Sequence, residues 1–503
     1  MIMKKILLTA AIFSIFSLQF QPASAQDAVY KLLRQEWTLN ADGTSDYHYR
    51  HEVQILRNRA LVAYADKGET FVVYNPDLEE LTVNEVYTIQ KNGTRVDMPQ
   101  NAFVYQLPSE CADCGRFNHL RELAMIHTGM ELGCTIVVDY TIHRKYNFLH
   151  ESIPLQRECP VEKLEVVVNY NHNDMDLRYA IDGFQYLNSN DVTRSESVNT
   201  DGMNRVLHYT FVDLNQAPKE PYMPDDIIPT LRIFNAMPEF VPAFDQEPFK
   251  GAADVMGQVM NTKGMQNIVN ARNYVVDNIH LNDIHPSHLG YTHSTPEEVW
   301  RTGCGTAVDK AVLLAAILNA EGYRADVAGD AADEVAVYID TLEYRLSVRS
   351  KAPMTLYGKA KDEVRTLNMK DKFDATLDTL EDGFFRFYIP FITIEGERDP
   401  WIRASQLSLV RTTPLQASAC DVRSDETFIL PKGVKMVGGN ISRKLSFDGV
   451  GSVEYTVKQS GTKLRIVRNL KVEKSLIPVE DYAKYRQLMA VWQGVDYVML
   501  RTK

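Results

Sequence analysis

A chain of 503 residues, 45% hydrophobic and 24% charged, with 20 Phe and 25 Tyr to fill cores, has the make-up of an ordinary folded polypeptide, long enough for about two to four domains. A formal net charge of -12 argues against nucleic acid or anionic surfaces as partners and selects no ligand. The chain holds no Walker A pattern, Rossmann glycine fingerprint, H-E-x-x-H or G-x-S-x-G, so the common nucleotide, zinc-protease and serine-hydrolase readings have no motif to stand on.

The first residues read MIMKKILLTAAIFSIFSLQFQPASAQ. Lys4 and Lys5, an apolar run over 6–20 and Ala23-Ser24-Ala25 predict a secretory signal peptide over 1–25, cleaved after Ala25. No Cys follows the cleavage site, so no lipid anchor is expected, and no later apolar run reaches spanning length. The mature chain is therefore expected in the periplasm or outside the cell, with no transmembrane segment.

Residues 26–244 read as strands. Tyr47, Tyr49, His51, Val53 and Ile55 alternate with more polar neighbours, and similar runs fall at 70–74, 81–89, 135–142, 164–170 and 206–212. Turns such as Ala41-Asp42-Gly43-Thr44 and Lys91-Asn92-Gly93-Thr94 separate them, which predicts an antiparallel β-sandwich. The run GETFVVYNPDLEELTVNEVYTIQKNGTRVDMPQNAF, with NHLRELAMIHTGMELGCTIVVDYTI after it, resembles the domain of unknown function 3857. That resemblance implies a following transglutaminase-like core and supplies no chemistry of its own. His48 and His51 are an odd number of positions apart, so a regular strand sends them to opposite faces and they make a poor ligand pair.

Six cysteines in an exported chain invite disulfides. Cys111 and Cys114 form a C-x-x-C, while Cys134, Cys159, Cys304 and Cys420 are scattered. With no second C-x-x-C there is no zinc ribbon, and with no βαβ pattern around the pair no thioredoxin-type site. A structural disulfide or free thiols is the expectation.

A segment rich in proline and acid over 217–242 marks a connector, and the core is expected over 245–400. Helical spacing appears in Val255, Met256, Val259 and Met260, then in Ile268, Val269, Val275, Val276 and Ile279. The loop HLNDIHPSHLGYTH brings His280, His285, His288 and His293 close in sequence. Solvent-facing loop histidines are the expected reading there, and neither a metal nor a cofactor is assigned.

The most informative stretch is 295–325, TPEEVWRTGCGTAVDKAVLLAAILNAEGYRA. Thr295, Pro296 and Glu298 form a capping box with proline at the first helical position. A second helix, over 305–320, is apolar almost all round, and Gly322 stops it before strand chemistry at 323–327. The residues Gly305, Thr306, Ala307, Val308, Asp309, Lys310 and Ala311 resemble the Gly-Asp-Cys-x-Asp-Lys-Ala run that opens the nucleophile helix of the transglutaminase-like superfamily.

That resemblance implies a papain-type α+β core in which Ala307 stands where the family has its cysteine, a degenerate nucleophile position. It places roughly Glu334 at the family's histidine and Arg349 or Ser350 near its acid, and the last histidine of the chain is His293. The implied protein is a pseudoenzyme that binds or organises envelope material, with a peptide or glycan in a vestigial cleft. The alternative is a cysteine-dependent acyl-transfer enzyme, a peptidase, amidase or transglutaminase, using Cys304 with His288 or His293 as base.

Residues 401–503 read as short strands at 427–430, 444–447, 451–457 and 463–471, then a helix whose Tyr482, Tyr485, Leu488, Met489 and Trp492 share a face. The expected fold is thus α+β and multidomain: an N-terminal antiparallel β-sandwich, a central transglutaminase-like core and a small C-terminal β-domain.

Overall fold

The computed structural model describes residues 26–66, 70–171, 176–187, 192–198, 203–224, 227–235, 251, 265–328, 336–339, 344–349, 355–356, 365–392 and 399–502. The signal segment 1–25, the pattern from Val255 to Met260, and Glu334 and Ser350 lie outside the described residues.

Alternation builds the N-terminal part as expected, because a strand with one apolar face must bury that face. Eight strands form one sheet in the spatial order Val192–Val198, Asn204–Leu214, Val161–Asn171, Ala28–Leu39, Ser45–Ile55, Thr135–Arg144, Glu79–Ile89 and Arg95–Asp97. Two three-stranded sheets cover its inner face, and Leu33, Trp37, Val53 and Val166 share one core with Val72, Leu123, Ile153 and Leu231 from the covering sheets. The expectation of a wholly antiparallel sandwich needs one correction. Ala28–Leu39 pairs in parallel with Val161–Asn171, which is possible because the chain between them is long enough to cross over.

The period of two sorts the histidines as well. His48 faces outward and its Nε2 lies 2.8 Å from Asp139 Oδ1, whereas His51 is fully buried on the other face. Buried nearby is His127, whose two ring nitrogens have no hydrogen-bond partner among the described residues. Burial, with His51 adding repulsion, pushes the His127 imidazolium down to about 3 from 6.5. The unfolded chain therefore binds this proton where the folded chain does not, so stability falls as pH drops below 6.5. A His127→Leu variant is expected to lose about 2 kcal/mol less than the wild type between pH 6.5 and about pH 5, measured by urea denaturation.

The middle of the chain packs helices Met265–Asn278, Pro296–Thr302 and Ala307–Ala320 against an antiparallel sheet of Ala325–Ala328, Ala336–Ile339, Tyr344–Ser347 and Thr355–Leu356. Helix Ala307–Ala320 is buried all round as its composition predicts, and Leu313, Leu314, Ile317 and Leu318 meet Ile268, Val275, Val337 and Leu346 in one core. Even Lys310 is buried, and its Nζ donates to the Ile279 carbonyl at 2.7 Å.

In the C-terminal part five strands run in the order Arg365–Asp374, Cys420–Ile429, Lys463–Val472, Gly451–Ser460 and Ile441–Phe447. Helix Val479–Gln493 buries Tyr482, Tyr485, Leu488, Met489 and Trp492, the face read from its spacing. Two strands that lie within 245–400, Arg365–Asp374 and Phe384–Tyr388, pair with C-terminal strands rather than with the central sheet.

Candidate functional site

The site is assembled around the start of helix Ala307–Ala320. Thr295 accepts from the Glu298 amide, and Glu298 accepts from the Thr295 amide in return, closing the capping box that opens helix Pro296–Thr302. Gly303 ends that helix at φ 68°, a left-handed conformation suited to glycine. The chain then pairs Cys304 and Gly305 in parallel with His280 and Leu281. A side chain at Gly305 would meet Asp309 Cβ at 2.7 Å, so only glycine fits between this short ladder and the helix.

Asp309 organises the helix start. Its Oδ2 accepts from the Thr306 amide at 2.8 Å, and its Oδ1 accepts from the Ser294 amide at 2.6 Å and the Ser294 hydroxyl at 2.7 Å. Thr306 Oγ1 accepts in turn from the Asp309 amide, a second capping box. Asp309 is wholly buried, and Arg116 from the N-terminal domain places Nη1 3.8 Å from its carboxylate. Ala307, the first helical residue, is 7% exposed. At this position the chain presents a methyl group, with neither thiol nor hydroxyl.

Cys304 is bonded to Cys114 of the N-terminal domain, across 190 positions of sequence. Both lie in an apolar cluster with Cys111, Phe117, Leu120 and Ile284. The pairing of Cys304 with His288 or His293 is therefore not assembled here, because the sulfur is in a disulfide. His288 Nδ1 lies 3.8 Å from Glu79 Oε2, and His293 Nδ1 lies 2.9 Å from the Ser294 carbonyl. Within the C-x-x-C, Cys114 turns to the core and Cys111 remains a buried free thiol. Spacing carries no signal for such a cross-link.

The remaining loop histidine with defined bonding, His285, accepts from the Ser287 amide at 3.3 Å and so caps the turn Pro286–Leu289. Among the described residues no three His, Cys, Asp or Glu side chains are grouped as a metal ion requires. Arg349 reaches Asp283, with Nη1 2.8 Å from Oδ1.

Beside this site the two domains enclose a cleft of about 650 Å³, lined by Arg116, Phe117, Lys145, Tyr146, Phe148 and Tyr291 among others. Its walls are tied by polar contacts: Asn75 Nδ2 donates to the His288 carbonyl at 2.7 Å, Tyr146 to the Ser287 carbonyl at 2.9 Å, and Tyr291 to the His150 carbonyl at 3.1 Å. Behind them the buried Arg144 bridges Glu79 and Glu151 at 3.2 and 3.3 Å. The sequence reading missed Arg116, Lys145 and the aromatic lining, because they meet the loop 289–292 only in the folded chain.

Architecture and cleft together define a strand-rich, multidomain chain with a site where its N-terminal domain meets a helical core. Residues 41–216 match the model of a domain of unknown function (DUF3857), and residues 388–497 match that of a second domain of unknown function (DUF3858). The core lies between them. Among solved structures, a protein from Parabacteroides distasonis named as a candidate protease superposes with a TM-score of 0.75 at 23% identity, covering 94% of this chain and 99% of its own. At that identity the likeness shows a shared fold. No curated protein matches the chain.

Proposed function

We propose that the chain is an exported binding protein whose transglutaminase-like core has lost acyl transfer, and whose interdomain cleft holds a peptide or a glycan. The observation that carries this reading is the alanine at 307, at the head of the buried helix, together with the commitment of the adjacent Cys304 to a disulfide. Acyl transfer by a cysteine enzyme needs a thiolate with a base in reach. Export is supported by the leader composition over 1–25, and among the described residues no helix is long and apolar enough to cross a membrane.

The cleft suits such ligands chemically. Phe117, Tyr146, Phe148 and Tyr291 offer rings against sugar faces or apolar side chains, and Arg116 and Lys145 offer donors to carboxylates. Its volume lies within the range of small-ligand sites, and domain boundaries are where such sites gather. Soluble peptidoglycan fragments, which carry both peptide and glycan, are the probe of choice. They are expected to bind and to be recovered at unchanged mass, at least tenfold more weakly with Arg116→Ala combined with Lys145→Ala. Recovery of cleaved or cross-linked fragments would overturn the proposal.

The second reading, a cysteine-dependent enzyme, is favoured by the name of the Parabacteroides distasonis neighbour. It requires Cys304 to be released from Cys114.

A further inference from the structure

The segment carrying Cys111 and Cys114 is built as a turn. The Cys114 amide donates to the Cys111 carbonyl at 3.3 Å, Ala112 sits at φ -55° and ψ 144°, and Asp113 follows at φ 64°. These are the angles of a type II β-turn with Cys111 first and Cys114 last, and the definition of such a turn holds the two Cα atoms within about 7 Å. A disulfide needs its Cα atoms roughly 4.4 to 6.8 Å apart. The turn therefore presents two cysteines at bridging distance, of which one already bonds Cys304 and the other is a free thiol in the same apolar cluster.

We propose that Cys111 and the Cys114–Cys304 disulfide form an intramolecular thiol–disulfide exchange site that makes or releases the covalent tie between the N-terminal domain and the core. The Cys111 thiolate attacks Cys114 Sγ. A Cys111–Cys114 bond forms, the Cys114–Cys304 bond breaks, and its electron pair leaves on Cys304 Sγ. Cys111 gives its proton to solvent and Cys304 takes one back, so the two isomers have the same atoms and the same oxidation state. No oxidant or reductant is consumed.

Two features hold the exchange in check in the closed form. Burial, with Glu110 and Glu122 adding repulsion, pushes the Cys111 thiol up to about 11, which keeps the attacking thiolate scarce. Asn282 of the core clamps the turn, its Nδ2 donating to the Glu110 carbonyl at 2.9 Å. Release would also loosen Arg116, two residues after Cys114, which lines the cleft and faces Asp309.

The test uses the full chain in a glutathione redox buffer, quenched in acid, alkylated under native conditions and mapped by mass spectrometry without reduction. The expected result is a second species in the wild type, with Cys304 alkylated, Cys111 joined to Cys114, and the number of thiols per chain unchanged. Asn282→Ala is expected to raise its share at least threefold. Cys111→Ser is expected to cut Cys304 alkylation at least tenfold, because the intramolecular attack on Cys114 Sγ cannot occur without the Cys111 thiol. Equal Cys304 alkylation in Cys111→Ser would show simple reduction of the disulfide and overturn the proposal. So would a wild type in which Cys304 is never labelled, or one in which Cys111 is joined to Cys304 instead.

Discussion

Replacing Cys304 with alanine is expected to lower the stability of the full chain by about 2 to 5 kcal/mol, the range for loss of a native disulfide. The Cys114–Cys304 bond closes a loop of 190 positions, and on the chain-entropy view a long loop places the largest constraint on the unfolded ensemble. The same bond fastens the sandwich to the core, so its loss should separate their unfolding transitions as well as shift them. Urea denaturation with and without reductant checks this. The wild type should fall to the level of the variant when reduced, and the variant should barely respond. Identical midpoints for both proteins without reductant would mean that the cross-link adds nothing.

Arg144→Met should cost about 3 to 5 kcal/mol, because it leaves the buried Glu79 carboxylate, and the half-buried Glu151 beside it, without their cation. Burial works against charge on Glu79, yet His288 and Arg144 beside it hold its carboxyl below the usual range. A carboxyl held low stabilises the fold above its unfolded value of 4.5, and that contribution is lost as pH falls through the folded value. Without Arg144 one of the groups that hold the carboxyl down is gone, and burial weighs more heavily against its charge. The gap between Arg144→Met and wild type should therefore narrow as pH falls below about 4.5, and adding Glu79→Gln should recover part of it. A gap independent of pH, with no recovery in the double variant, would remove Arg144 as the organiser of the cleft wall.

Local chemistry was the legible part of this chain. The Thr295 and Glu298 capping box, the helix buried all round after Gly305, the alternating strands and the docking face of the last helix all appear where neighbouring residues dictate them. What escaped the sequence is contact between distant segments. Nothing in the Ala28–Leu39 alternation says that its partner at Val161–Asn171 runs parallel, and RTLNMKDKFD gives no hint that it joins the C-terminal sheet. Six cysteines allow many pairings, so Cys304 read equally well as a thiol near a helix start. Its partner Cys114 is visible only once the turn 111–114 is laid against Ile284. Asp309 could be read as part of the helix opening, but its bonds to Ser294 and its approach by Arg116 could not.

On the proposed function, this core holds its ligand without breaking or making amide bonds. The most direct measurement follows ammonia and amine release from glutamine-containing peptides and peptidoglycan fragments, with purified protein both oxidised and reduced. No turnover above a Cys304→Ala control in either state is the result expected. Turnover that appears on reduction and vanishes in the Cys304→Ala variant would contradict it, and would establish Cys304 as a working nucleophile.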